Sequence, residues 1–269
     1  MKKQCLLLFA SIMFCNLLAQ AGSNKTGIED EMRTRDACVI IIDLKSQKIV
    51  KRIGLHCEER TTPCSTFKIP LAVMAFQEGK LVDRSSSRKW DGHVTGNSGW
   101  DRDQTAATWL ENSVVWFSRR LTTEMGMETV KKYLGEFNYG NQDMTGGLTE
   151  AWIDSSLKIS PDEQITFLRS LWLRNWPLKK ETYDKVLDLL PAEEFLDGTL
   201  KGKTGSNGLY IEEKKDQKYI GWYVGFFSNG KDFAVVSRYE GVRQSGEPLR
   251  PGLIAQEFAR KSLKSALLK

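Results

Sequence analysis

The chain has 269 residues, of which 27% are charged, and its formal net charge at pH 7 is +5. Its lysines and arginines are scattered among acidic residues rather than clustered, which argues against a nucleic-acid-binding protein. The two histidines, His56 and His93, stand outside any metal-ligand pattern, so we expect no metal site.

Residues 1–21 have the pattern of a secretory signal peptide. Lys2 and Lys3 precede an apolar stretch, and Ala19-Gln20-Ala21 supplies the small residues that a signal peptidase requires. The stretch is shorter than the ~20 apolar residues that span a bilayer, so we expect secretion rather than stable membrane insertion. Cleavage takes away two lysines and lowers the net charge from +5 to +3. The remaining residues, 22–269, are enough for a single domain with a substantial core.

Two short strands are predicted near the start of the mature chain. Residues 38–42 are apolar, residues 47–50 end in Ile49-Val50, and the two segments flank the turn residues Leu44-Lys45-Ser46. Their pairing would bring Cys57 back toward Cys38, and an oxidising compartment would allow a disulfide between the two. A pair of buried free thiols is the alternative.

The middle of the chain has a helical pattern. Residues 66–76 form an apolar run that ends before Gly79, and residues 104–125 place apolar side chains mainly three or four positions apart. Ser160-Pro161-Asp162-Glu163 has the form of a capping box with proline at the first helical position, which predicts that a helix begins there.

Strands return near the C-terminus. Residues 219–227 and 233–239 flank Ser228-Asn229-Gly230, a strong hairpin signal, and an amphipathic helix is predicted after Pro248. We therefore predict an α/β fold with a mixed, largely antiparallel sheet that is built from both ends of the chain and flanked by helices. Within the single domain of residues 22–269, the α/β part takes about 22–62 and 196–269, and an inserted all-helical subdomain takes about 63–195.

The main chemical signal is Ser65-Thr66-Phe67-Lys68, at the head of the first apolar helix. Residues three apart share a helix face, so Ser65 and Lys68 place a hydroxyl beside an amine. Read alone, this is also the pattern of an exposed polar helix start. A nucleophilic Ser65 would need Lys68 as its base, in a neutral or chemically altered form. Apolar neighbours could lower the pKa of Lys68 by excluding water, and they are Phe67, Ile69, Leu71 and Val73.

Further motifs place this pair in a known family. Ser65-Thr66-Phe67-Lys68, Ser113-Val114-Val115, Tyr139-Gly140-Asn141 and Lys203-Thr204-Gly205 occur in the order seen in class D β-lactamases, the oxacillinases. The resemblance covers essentially the whole mature chain. The chain departs from the pattern at Trp116, where many relatives have proline, and this leaves the shape of the cleft open.

The resemblance implies the chemistry of a serine β-lactamase. Ser65 would attack the β-lactam carbonyl and become acylated. Lys68 would carry a carbamate made from carbon dioxide or bicarbonate and act as the general base, with no other cofactor. Trp152 would hold the carbamate through its indole N–H. Ser113 would relay a proton to the leaving nitrogen, and Lys203 would tune that transfer.

The resemblance also implies a set of substrate-binding residues around this centre. They comprise an apolar shield over the carbamate, groups that bind the substrate carboxylate, an oxyanion-hole amide beside that of Ser65, and two loop residues. The set is Val115, Thr204, Gly205, Ser206, Arg250, Tyr139 and Asn141.

The sequence therefore predicts a secreted, periplasmic serine β-lactamase that hydrolyses penicillins, extends to oxacillin-type or other β-lactams, and confers antibiotic resistance. One alternative is a penicillin-binding sensor or peptidase that is acylated but deacylates slowly. Another is a secreted binding protein that keeps the fold without catalysis. The expected partners are small-molecule β-lactams, and both a monomer and a homodimer remain open.

Overall fold

The computed structural model describes Met32 and residues 36–207, 218–242 and 250–268. The signal peptide predicted for residues 1–21 lies outside this part of the chain. Within the described ranges, no helix is both long enough and apolar enough to cross a membrane.

A six-stranded sheet lies at the centre of the fold. Its strands are β1 (Ala37–Asp43), β2 (Ile49–Gly54), β5 (Ala192–Phe195), β6 (Gly198–Ser206), β7 (Lys218–Ser228) and β8 (Asp232–Val242). They lie in the order β2-β1-β8-β7-β6-β5, and each neighbouring pair is antiparallel. Two further strands, β3 (Ser87–Arg88) and β4 (Gln104–Thr105), pair with each other. The predicted sheet, built from both ends of the chain, is confirmed.

Helices pack on both faces of this sheet. Those in the described chain are α1 (Lys68–Gln77), α2 (Ala106–Glu111), α3 (Val115–Met125), α4 (Met127–Glu136), α5 (Pro161–Leu173), α6 (Lys180–Leu189) and α7 (Pro251–Leu267), and a 3-10 turn (Cys64–Phe67) leads into α1. Helices α1 to α6 fall between β2 and β5 in the chain, where the sequence predicts the helical insertion.

Strand β1 shows why the sheet is covered on both sides. Val39 and Ile41 point to one face and pack in a cluster with Phe258 of α7. Ile40 and Ile42 point to the other face and join the larger core of the helical part. Because successive side chains of a strand alternate between faces, a continuous apolar run of this kind requires cover on both.

The prediction of a single helix over residues 104–125 is wrong, because the structure has two helices there, α2 and α3. Ser113 lies between them in the left-handed region, with φ +61°. The amide of Val114 donates to the carbonyl of Trp109 at 3.0 Å and closes the turn. Trp109 and Phe117 still stack at 5.2 Å, eight positions apart on a common face. The apolar spacing continues across the break, so the spacing alone does not show where one helix ends and the next begins.

Other local predictions are confirmed. Ser160 and Glu163 form the reciprocal hydrogen bonds of a capping box at the start of α5. Strands β7 and β8 form the C-terminal hairpin, closed between Ser228 and Asp232. Cys38 and Cys57 are joined in a disulfide, with their Cα atoms 5.4 Å apart, so the free-thiol alternative is set aside. Helices α4 and α6 and strand β5 have no counterpart among the sequence predictions.

Candidate active site

The predicted serine–lysine pair lies at the junction of the 3-10 turn and α1. Lys68 is the first residue of α1, and its Nζ lies 3.2 Å from Ser65 Oγ, within hydrogen-bonding distance. Lys68 is 1% exposed, whereas Ser65 is partly exposed. The structure therefore has a reachable hydroxyl in contact with a buried amine. The alternative of an exposed polar helix start does not fit, because Lys68 is buried.

Hydrogen bonds beneath the turn hold Ser65 in place. Thr66 Oγ1 donates to the carbonyl of Pro63 at 2.7 Å and accepts from Gln164 Nε2 at 2.9 Å. Cys64, directly before Ser65, has φ +51°, an uncommon conformation for a residue with a side chain. Its thiol is buried and free, and burial raises the pKa of this thiol to about 12, so it is protonated and unreactive at neutral pH.

The two lysine amines of the site, those of Lys68 and Lys203, have pKa values below the ordinary lysine value. Burial, and then the nearby charge of Lys203, keep the pKa of Lys68 well below its usual value. Lys203 is 3% exposed, and burial lowers the pKa of its amine to about 7. The protonated forms are disfavoured because a charge in an apolar site loses its hydration. The lowered pKa favours the neutral amine of Lys68, the form that can act as a base or a nucleophile.

Strand β6 brings Lys203-Thr204-Gly205 against the Ser65 turn. Lys203 Nζ donates to the carbonyl of Thr204 at 2.8 Å. A Cβ added to Gly205 would lie 3.1 Å from the carbonyl oxygen of Pro63 and 3.1 Å from Thr66 Cγ2. Glycine at this position allows the strand and the turn to approach closely.

The beginning of α7 closes on the same end of β6. The amide of Gly252 donates to Ser206 Oγ at 3.0 Å, and a Cβ on Gly252 would lie 2.8 Å from the carbonyl oxygen of Gly205. Arg250, which immediately precedes α7, is exposed. The fold thus brings Thr204, Ser206 and Arg250 to one end of the sheet.

Helix α3 packs against α1 and carries the second motif at its start. Val115 is its first residue and packs against the core that includes Phe67 and Leu71. Ser113 precedes it in a left-handed conformation that a non-glycine residue adopts at a cost. Among the described residues, no contact of the Ser113 side chain with Ser65 or Lys68 carries its predicted catalytic role, which stays a prediction.

Trp152 is buried beside the turn. Its ring stacks on Phe67, the residue before Lys68, with 5.0 Å between ring centroids. Its carbonyl accepts a hydrogen bond from Thr62 Oγ1 at 2.9 Å. The contact with Phe67 places Trp152 against the first turn of α1, where the sequence predicts a partner for a carbamate.

The side chains of Tyr139 and Asn141, predicted as substrate contacts, are hydrogen-bonded within the protein. Tyr139 is fully buried, packs edge-on against Phe67 at 6.0 Å, and receives a 3.4 Å hydrogen bond from Gln164. Burial raises the pKa of its hydroxyl. The Asn141 amide is used within its own loop, where it donates to the carbonyl of Ser156 at 2.8 Å. Both therefore support the loops and the Ser65 turn rather than facing a ligand.

Gln164 is the residue of this site that sequence reasoning missed. It bonds Thr66 and Tyr139 beneath the nucleophile and is fully buried. A signal was available, because Gln164 falls on the buried face of α5 together with Phe167, Leu168 and Leu171. A polar residue in line with such apolar positions indicates a buried hydrogen-bonding role.

The chain matches known proteins along most of its length. Residues 29–263 match the penicillin binding protein transpeptidase domain, so fold and site define a protein of this type. Beta-lactamase OXA-1 of Escherichia coli is 33% identical over 244 residues, which cover 86% of this chain and 87% of that protein. Beta-lactamase OXA-9 of Klebsiella pneumoniae is 36% identical over 225 residues, covering 78% and 81%.

Solved structures give the same answer. A class D beta-lactamase from Bacillus subtilis aligns with a TM-score of 0.77 at 28% identity, covering 90% of this chain and 96% of that one. The class D beta-lactamase OXA-427 aligns with a TM-score of 0.74 at 31% identity, covering 86% and 100%. The chain belongs to the class D β-lactamases, a family of hydrolases that act on the β-lactam ring.

Proposed function

We propose that this protein hydrolyses penicillins and related β-lactams through an acyl-enzyme on Ser65, with a carboxylated Lys68 as the general base. The observation that carries the proposal is the 3.2 Å contact between Ser65 Oγ and the Nζ of a fully buried Lys68. Hydrolysis destroys the antibiotic, so the activity confers resistance on the cell that secretes the enzyme.

The first step is the formation of the base. The neutral amine of Lys68 adds to carbon dioxide and releases one proton, which leaves a carbamate on Nζ. Two features support this step: the depressed pKa of Lys68 and the burial that limits access of water to the product. A buried anion needs a donor, and the indole N–H of Trp152 is the group that we assign to it.

Acylation and deacylation use the same base. The carbamate accepts the hydroxyl proton of Ser65 while Ser65 Oγ bonds to the β-lactam carbonyl carbon. The carbon–nitrogen bond of the ring breaks, and the proton held by the carbamate passes through the hydroxyl of Ser113 to the leaving nitrogen, so the carbamate is again free of it. The carbamate then takes a proton from a water molecule as that water attacks the acyl ester. The ester bond to Ser65 breaks, and the same proton passes from the carbamate to Ser65 Oγ, which restores both groups.

The groups around this centre bind the substrate. The backbone N–H groups of Ser65 and Ser206 stabilise the oxyanion, and Thr204 and Arg250 bind the substrate carboxylate. The position of Arg250, next to the end of α7 that contacts Ser206, supports the last assignment. Val115 shields the carbamate with apolar surface.

We also infer secretion into the periplasm. The Cys38–Cys57 disulfide belongs to an oxidising compartment, and residues 1–21 have the composition of a cleaved signal peptide.

A chromogenic cephalosporin tests the proposal. We expect continuous turnover by the purified protein and none from Lys68→Ala, whereas Lys131→Ala, which removes an exposed lysine on α4, keeps full activity. A single burst followed by a long-lived acyl adduct on Ser65, seen by intact-mass measurement, would instead indicate a penicillin-binding sensor or peptidase. No reaction at all would indicate a binding protein. Steady-state rates across a panel of β-lactams then define the substrate range.

A further inference from the structure

An exposed ion pair connects helix α3 to the segment that carries Trp152. Arg119 Nη2 lies 2.8 Å from Glu150 Oε2. Both side chains are about half exposed, at 47% and 45%. The pair lies outside the set of residues assigned to catalysis and substrate binding above.

Each partner lies close to a residue of the carbamate site. Arg119 is one helical turn after Val115, so both lie on one face of α3. Glu150 lies two residues before Trp152, whose ring stacks on Phe67. The ion pair therefore connects the helix that begins at Val115 to the segment that carries Trp152, and the proposed function assigns both of these residues to the carbamate.

The segment around Trp152 is held by its own backbone turns and by contacts with the Ser65 turn and the core. Short turns form where the amide of Ala151 donates to the carbonyl of Gly147 and the amide of Ile153 donates to that of Glu150. Thr62 fixes the segment to the Ser65 turn through the carbonyl of Trp152. Thr62 Oγ1 also accepts from the amide of Asp154 at 3.0 Å, and Trp152 is only 1% exposed, so the segment is anchored to the Ser65 turn and to the core. The Arg119–Glu150 pair adds a link from this segment to α3.

We propose that Arg119 and Glu150 are positioning residues that hold the Trp152 segment against α3 and thereby retain the carbamate on Lys68. The inference rests on the proposed function. When the link is broken, the Trp152 segment moves away from α3 more often, water reaches the carbamate, and the carbamate dissociates to amine and carbon dioxide. The enzyme then needs more bicarbonate for the same activity.

The expected effect is modest, because the ion pair is exposed. We expect the bicarbonate concentration that gives half-maximal activity to rise about two- to fivefold in Arg119→Gln and in Glu150→Gln, the size of an exposed ion pair. At saturating bicarbonate, kcat returns to the wild-type value. Salt weakens exposed pairs, so added salt should raise the bicarbonate requirement of the wild type toward that of the variants.

The test is a bicarbonate titration of hydrolysis in buffer depleted of carbon dioxide. The matched control is Glu124→Gln, which breaks the 2.8 Å pair between Arg88 and Glu124 on the last turn of the same helix. The control should keep the wild-type bicarbonate requirement. The double variant with the pair reversed, Arg119→Glu with Glu150→Arg, should bring the bicarbonate requirement most of the way back to the wild-type value. A general loss of folding would not be reversed in this way.

The outcomes separate the inference from the function on which it rests. If the wild type turns over substrate with a bicarbonate requirement and the Arg119 and Glu150 variants share it unchanged, the positioning role is wrong and the proposed mechanism stands. If the wild-type activity does not respond to bicarbonate, the proposed mechanism itself fails. A rise in the Glu124→Gln control equal to that of the variants would also overturn the positioning role.

Discussion

Replacing Gly205 by alanine tests whether the fit between β6 and the Ser65 turn controls reactivity. The new Cβ would lie 3.1 Å from the carbonyl oxygen of Pro63, 3.1 Å from Thr66 Cγ2 and 3.3 Å from the amide of Thr66. Those distances are a few tenths of an ångström shorter than ordinary van der Waals contact, so the turn must move by that amount. Pro63 and Thr66 bracket Ser65, so the displacement acts directly on the nucleophile.

The cost can be scaled from the sensitivity of catalysis to geometry. A misplacement of ~1 Å lowers rates by roughly a hundredfold, so a few tenths of an ångström should lower kcat/KM by about three- to tenfold. Thermal unfolding should shift little, because the contact involves a single methyl group at the edge of the sheet.

The assay is kcat/KM for a chromogenic cephalosporin, measured alongside thermal unfolding. Gly135→Ala is the matched control, because its Cβ would meet only Gln142 Oε1 at 3.7 Å within helix α4. That variant should keep its activity and gain about 0.8 kcal/mol of stability from better helix propensity. Wild-type kcat/KM in Gly205→Ala would refute the claim that this contact positions Ser65.

The remaining predictions concern pH, the indole N–H and the disulfide. Lys203 has a pKa of about 7 in the folded protein against 10.5 as its ordinary value, so the unfolded chain binds one more proton between these pH values. The free energy of unfolding, measured by urea denaturation, should therefore rise with pH across that window. The rise should be steeper than in Lys203→Met by ~1 kcal/mol per pH unit. An equal rise with pH in the two proteins would contradict a lowered pKa for Lys203. Trp152→Phe keeps an aromatic ring against Phe67 but removes the indole N–H. Single-turnover kinetics should therefore show slower deacylation and a greater bicarbonate requirement. Unchanged deacylation would mean that Trp152 serves only in core packing. Replacing Cys38 and Cys57 together by alanine opens a link of 19 residues and should lower the free energy of unfolding by about 3 kcal/mol, with kcat in the folded fraction unchanged. A loss of kcat in the folded fraction would instead connect the disulfide to the site.

The sequence was sufficient for the parts of the site that depend on short-range spacing. Ser65 and Lys68 are one turn apart, so the start of a helix is enough to bring them together. Gly205 belongs to the Lys203-Thr204-Gly205 motif that the sequence singles out, and it lies against Pro63 and Thr66. Local hydrogen-bonding signals predicted the capping box and the hairpin equally well.

Features that depend on long-range packing were not predictable in the same way. The break at Ser113 leaves the apolar spacing intact, so periodicity alone merged α2 with α3. Tyr139 belongs to a loop motif, yet tertiary packing places its ring under the Ser65 turn, where no ligand reaches it. The ion pair between Arg119 and Glu150 joins residues 31 positions apart, which no local pattern encodes.

The central claim is that Lys68 carries the carbamate that serves as the base for Ser65. The most direct measurement is a carbon NMR spectrum of the protein in isotope-labelled bicarbonate. We expect a carbamate signal in the wild type that is absent from Lys68→Ala and still present in Ser65→Ala. A wild-type spectrum without that signal, recorded while the enzyme turns over substrate, would contradict the account.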